Sequence, residues 1–198
     1  MKKIIFIICA LVAFYLVYGW FTTTYVLPNA MGINYESMGA AGSIMKVVTI
    51  FSSVISAAVN ILFSAVLVLI GYYVTDKQSF PPILKATLYT DCVNVLASIC
   101  KVVSILFISP ATSALELNVM PCSLTQCFNI AKLENWQISL YNSVNIFFVM
   151  YIAVFAFFLS KILVKSYWSS LKVVLLSYGL VNVFIVVVSS LISYYSAQ

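Results

Sequence analysis

Apolar residues dominate the chain in long runs broken by short polar segments, and five runs are long enough to cross a bilayer, which takes roughly 20 residues of helix. They predict helices at about 4–20, 47–74, 83–109, 139–163 and 173–194. The fold expected is all-α, a polytopic integral membrane protein in which residues 1–198 form a single transmembrane domain, a bundle of five helices. The first run follows Met1-Lys2-Lys3 and resembles a signal sequence. Its apolar core is long and no small-x-small cleavage site follows, so it reads as an uncleaved helix. The 28-residue run Val47 to Val74 exceeds a span and must tilt, bend or protrude.

Between the runs lie two kinds of connection. Residues 21–45 and 110–138 are long, polar and rich in turn formers. Thr75 to Pro82 and Val164 to Lys172 are tight and basic, the first ending in a Pro-Pro that starts a helix more readily than it continues one. Placing the N-terminus in the cytoplasm puts Lys2, Lys3, Lys77, Lys85, Lys161, Lys165 and Lys172 inside and only Lys46 and Lys132 outside. By the positive-inside rule both long loops and the C-terminus are then expected outside the cell. A bacterial plasma membrane is the expected location.

The third run carries the main anomaly. Asp91, Asn94, Ser98 and Lys101 fall within a sector of about 80° on a helix, making one polar stripe on an oily rod. Ionisable groups at membrane depth cost ~2.5 kcal/mol or more against lipid, so the stripe is expected to face other helices or a wet crevice. Asp91 and Lys101 stand ten residues apart, roughly 15 Å along the axis, too far to pair with each other. A partner-facing stripe and an ion or proton route are both open readings.

Composition narrows the chemistry. The chain is 64% hydrophobic and 8% charged, with a net charge of +5 from ten lysines against five acids, and it lacks arginine and histidine. Soluble domains carry roughly 25% charged residues. The lysines are scattered singly, which leaves no nucleic-acid footprint. There is no G-x-S-x-G, no P-loop and no close acid pair on one helix, so no enzyme, cofactor or metal site is expected. Cys122 and Cys127 share an external loop, where a disulfide could form and stabilise by ~2 kcal/mol. Cys9, Cys92 and Cys100 lie singly in predicted helices, so no second pair supports thiol redox work.

Two stretches carry a family resemblance. Asn145-Ile146-Phe147-Phe148-Val149-Met150-Tyr151, an apolar run, and then Lys165-Ser166-Tyr167-Trp168-Ser169-Ser170-Leu171-Lys172 resemble the fourth helix and following turn of the bacterial Yip1 family. Gly71 to Ser98, with Ser79-Phe80 leading into a helix containing Tyr89, is similar to its second turn and third helix. Asn145 stands where that family usually has aspartate and Tyr151 where tryptophan is common, which makes Asn145, Phe147 and Tyr151 the motif-like positions. The resemblance implies a non-enzymatic protein that binds other integral membrane proteins, such as an accessory subunit of an ABC-type exporter, and allows a homo-oligomer. The rival expectation is a small transporter or channel subunit with Asp91 and Lys101 lining the path.

Overall fold

The computed structural model describes residues 2–28, 35, 38–75, 77–108 and 119–196. Among them the chain is helical, with no strand beyond one isolated bridge between Ser123 and Asn145. Four helical stretches are long and apolar enough to cross a membrane: Lys2–Val26, Gly39–Val74, Phe80–Leu106 and Tyr167–Ser196. This is a multi-pass membrane protein. The chain divides into two compact units, Met1–Ile61 with Ser98–Asn118, and Leu62–Ala97 with Val119–Gln198.

In the first unit, α1 (Lys2–Phe21) runs through a widened π-helical turn at Thr22–Val26, so helix persists to Pro28. The Thr23 hydroxyl, buried, donates back to the Gly19 carbonyl at 2.7 Å and lets a threonine sit inside apolar packing. Helix α2 (Gly39–Thr75) begins well before Val47. Of the loop expected over 21–45, residues 21–28 and 39–45 are helical, and Thr23 satisfies its hydroxyl within the helix instead of breaking it; residues 29–34, 36 and 37 lie outside the described residues. Gly19 lets α1 and α2 approach closely. A Cβ there would stand 2.6 Å from Ser53 Oγ and 3.0 Å from Ile50 Cα. Ser53 in turn donates to the Tyr15 carbonyl at 2.7 Å, a hydrogen bond between the two helices.

The second unit is more densely packed. Helix α3 (Phe80–Thr90) starts on Pro81-Pro82 and leads through Asp91 into α4 (Cys92–Val103). The Asp91 amide donates to the Thr87 carbonyl and the Val95 amide to the Asp91 carbonyl, both at 3.0 Å, so the two form one rod. After it come α5 (Asn135–Ser143), α6 (Ile146–Ile162), α7 (Tyr167–Val174) and α8 (Leu180–Ser196), the last two joined by a widened turn at Leu175–Gly179. Helix α6 is central, packed by α3 and α7, while α8 packs on α5. Val68, Tyr72, Ile83, Phe155, Leu159 and Val174 are fully buried between them.

The continuous helix expected over 139–163 is two helices. Asn145 is extended (φ −135°, ψ 156°) and its side chain caps α6 by accepting from the Phe148 amide at 2.8 Å. The preceding loop occupies the gap: the Leu124 amide donates to the Val144 carbonyl at 2.9 Å and the Ile146 amide to the Cys122 carbonyl at 3.3 Å. A polar residue with a strong capping preference thus outcompetes an apolar run that would otherwise continue. What remains as α6 is 17 residues long, shorter than the four spanning stretches. Of the segment 110–138, residues 110–118 lie outside the described residues. Its remainder holds two short 3-10 turns, Leu124–Cys127 and Ile130–Lys132. It already enters α5 at Asn135, capped by the reciprocal side-chain bonds of Glu134 and Gln137.

Candidate functional site

The junction at Asp91 is where the second unit concentrates its polarity. Thr87, Thr90 and Asp91 are all fully buried, and with Asn94 they fall at spacings of three and four, on one face of the rod. Both threonines turn their hydroxyls onto their own helix, Thr87 to the Ile83 carbonyl at 3.0 Å and Thr90 to the Ala86 carbonyl at 2.9 Å. Such back-bonding lets a hydroxyl sit inside apolar packing with its donor satisfied. Asn94 Nδ2 donates to Asp91 Oδ1 at 2.7 Å, a short hydrogen bond inside the unit. Two further helices close the site. Ser64 of α2, fully buried, hydrogen-bonds the Tyr178 side chain, and Tyr178 lies near enough to Asp91 to sense its charge.

Tyr178 sits in the widened turn between α7 and α8, a distortion that often marks functional positions. Asn182 Nδ2 takes up the Tyr178 carbonyl at 2.7 Å, so the distorted backbone keeps a partner. Around the tyrosine ring stand Tyr151 at 5.1 Å between centroids, Phe148 at 6.2 Å and Phe155 at 6.4 Å. The Asp91 side chain has no exposed surface of its own. Neither a protein-family model, nor a curated protein, nor a solved structure matches this chain. The site must be read from its own chemistry.

Of the expected stripe, Asp91 and Asn94 fall within the second unit and Ser98 and Lys101, both half-buried, within the first. The motif-like positions all have structural work: Asn145 caps α6, and Phe147 and Tyr151 point into the core, 8% and 2% exposed. That explains why aspartate or asparagine suits this position, since both are strong N-caps. Cys122 and Cys127 flank the Ser123–Gln126 turn, are exposed, and are not joined in this structure. Reasoning from sequence missed Thr87, Thr90 and Tyr178. The two threonines extend the stripe one turn toward the N-terminus and could have been found by the same spacing. Tyr178 carries no such signal. Among the described residues no three of the Asp, Glu and Cys side chains converge on a common point.

Proposed function

We propose that this chain is a non-enzymatic membrane protein that binds and organises other membrane proteins, as the Yip1-like residues imply, in a bacterial plasma membrane with its N-terminus inside. One observation carries the reading: the polar groups at helix depth in the second unit are turned inward and engaged with one another, Asp91 with Asn94 and Ser64 with Tyr178. What such a protein offers its surroundings is helix surface, not a route through itself. Helical faces such as Phe51, Ile55 and Val59 on α2, or Val183, Phe184 and Val187 on α8, are exposed and apolar and suit neighbouring helices. An accessory subunit of an ABC-type export complex fits this description.

The test is purification of the full chain from its native host in a gentle detergent, with mass spectrometry of what remains bound. Stoichiometric recovery of another membrane protein, an exporter's permease among the candidates, supports the reading. Recovery of the chain alone, across several detergents, overturns it.

A second reading is favoured by a different fact, the fully buried carboxylate at the junction of α3 and α4. In a carrier such a group would take and release a cation or proton as the helices move. Vesicles containing the wild-type chain would then carry a proton or sodium flux that Asp91→Asn abolishes.

A further inference from the structure

The turn joining α6 to α7 combines features that the partner-binding reading leaves unused. Helix α6 ends with the Leu163 amide bonded to the Leu159 carbonyl at 2.8 Å and the Lys165 amide to the Ser160 carbonyl at 3.0 Å. This is a Schellman-type stop, and it places Val164 in the left-handed region at φ 53°. A β-branched residue is a poor occupant of that region, where glycine is usual. Its side chain is 91% exposed. Beside it lies a cavity of about 470 Å³ lined by Phe157, Ser160, Lys161, Val164, Lys165 and Tyr167.

Lys161 and Lys165 bring two ammonium groups to this cavity, and both are steadied by aromatic faces: Lys161 over Phe157 at 5.7 Å and Lys165 over Tyr72 at 5.1 Å. Tyr72 is itself fixed, its hydroxyl donating to Ser170 Oγ at 3.1 Å. Helix α7 starts at Tyr167, which lines the cavity, so the positive end of its dipole has the same sign as the lysines. Lys172, on α7, adds to the positive charge of the segment. Of the unit's described acids, Asp91 is fully buried and Glu134 caps α5, and neither lines the cavity.

The aromatic residues after the turn bear on which anion would suit it. Tyr167 and Trp168, ring centroids 5.7 Å apart, follow the turn directly, and Trp168 is 70% exposed. Exposed tryptophan and tyrosine at a helix end mark the headgroup level of a bilayer. A cavity there, with lysines lining it and exposed apolar side chains at Phe157, Val164 and Trp168, matches an amphiphile with a negative head and hydrocarbon tails.

We propose that the α6–α7 turn binds the phosphate headgroup of an anionic phospholipid, held by Lys161 and Lys165, with Val164 and Trp168 against its glycerol and upper acyl region. The lipid would fix the second unit at a set depth and make its behaviour depend on anionic lipid content. Basic pockets at helix ends favour such headgroups, each lysine contributing about 1 kcal/mol, or about five-fold in affinity.

Native mass spectrometry of the full chain, delipidated and titrated with phosphatidylglycerol or phosphatidylcholine in mixed micelles, tests this. Wild type is expected to retain one phosphatidylglycerol in preference to phosphatidylcholine. Lys161→Gln should weaken retention about five-fold, and Lys161→Gln with Lys165→Gln should abolish the preference. Lys161→Arg should keep it, and so should Lys132→Gln, a control lysine in the 119–134 segment. Because Lys165 also rests on Tyr72, the exposed Lys161→Gln carries the test if the double variant fails to fold. Equal retention of both lipids, or an unchanged preference in Lys161→Gln, overturns the proposal. Inorganic phosphate binding without lipid, and displacing it at millimolar concentration, would also overturn it by making the site one for free phosphate.

Discussion

The two units are built from the same oily alphabet and are held together differently. In the first, α1 and the first half of α2 meet through small residues: Gly19 against Ile50 and Ser53, with the Ser53 hydroxyl on a Tyr15 carbonyl. In the second, a closely packed apolar core surrounds groups that cannot be left alone in hydrocarbon: Asp91, Asn94, Thr87, Thr90, Ser64 and Tyr178. The contrast teaches where sensitivity lies. Small-residue contacts between membrane helices contribute modestly one by one, since lipid is as apolar as the helix it replaces. Buried polar groups are costly to leave unpaired, so removing one partner exposes the whole desolvation penalty of the other.

The largest effect is expected from Asp91→Ala, which removes a fully buried carboxylate and takes the acceptor from the half-buried Asn94 amide, and should cost about 3 kcal/mol of stability. Asp91→Asn, which keeps an acceptor oxygen, should cost less than half as much; thermal or SDS unfolding of the two variants checks the difference. Gly71→Val comes next. A Cβ at Gly71 would lie 2.9 Å from Ser177 Cβ and 3.0 Å from Val173 Cγ1, so α2 must move off α7, at about 2 kcal/mol. Asn145→Ala removes the cap of α6 and should lower stability by about 1 kcal/mol, while Asn145→Asp should be near neutral. The smallest effect belongs to the first unit. In Gly19→Ala the close contact with Ser53 and Ile50 is partly offset by the better helix propensity of alanine, leaving a loss of about 1 kcal/mol or less. A Gly19→Ala loss exceeding that of Asp91→Ala would invert the comparison.

Much of this architecture was legible in the sequence, for a physical reason: long apolar runs have few ways to satisfy their backbone in lipid, and helix is the simplest. The stripe through Asp91 and Asn94 was legible too, because a fixed angular step per residue puts them on one face. What escaped was set by long-range backbone bonding. The break between α5 and α6 needs more than the capping preference of Asn145; it also depends on the carbonyl of Cys122 and the amide of Leu124 arriving from the preceding loop. The helical state of Thr22–Val26 likewise reflects hydroxyls satisfied by carbonyls a turn earlier, as at Thr23, where residue type alone suggested a loop. Tyr178 could not be singled out among thirteen tyrosines, since its place against Tyr151 and Phe155 comes from the packing of α7 and the following turn on α6.

The most direct test of the inward, sealed character of the polar centre is thiol accessibility. In a background with the five native cysteines replaced, Asp91→Cys in intact membranes should resist a small, charged, water-soluble thiol reagent, while a cysteine at exposed Lys77 reacts. Resistance at 91 with reaction at 77 is the result predicted. Rapid modification at 91 would show water reaching the carboxylate position and would contradict the account in favour of a route through the protein.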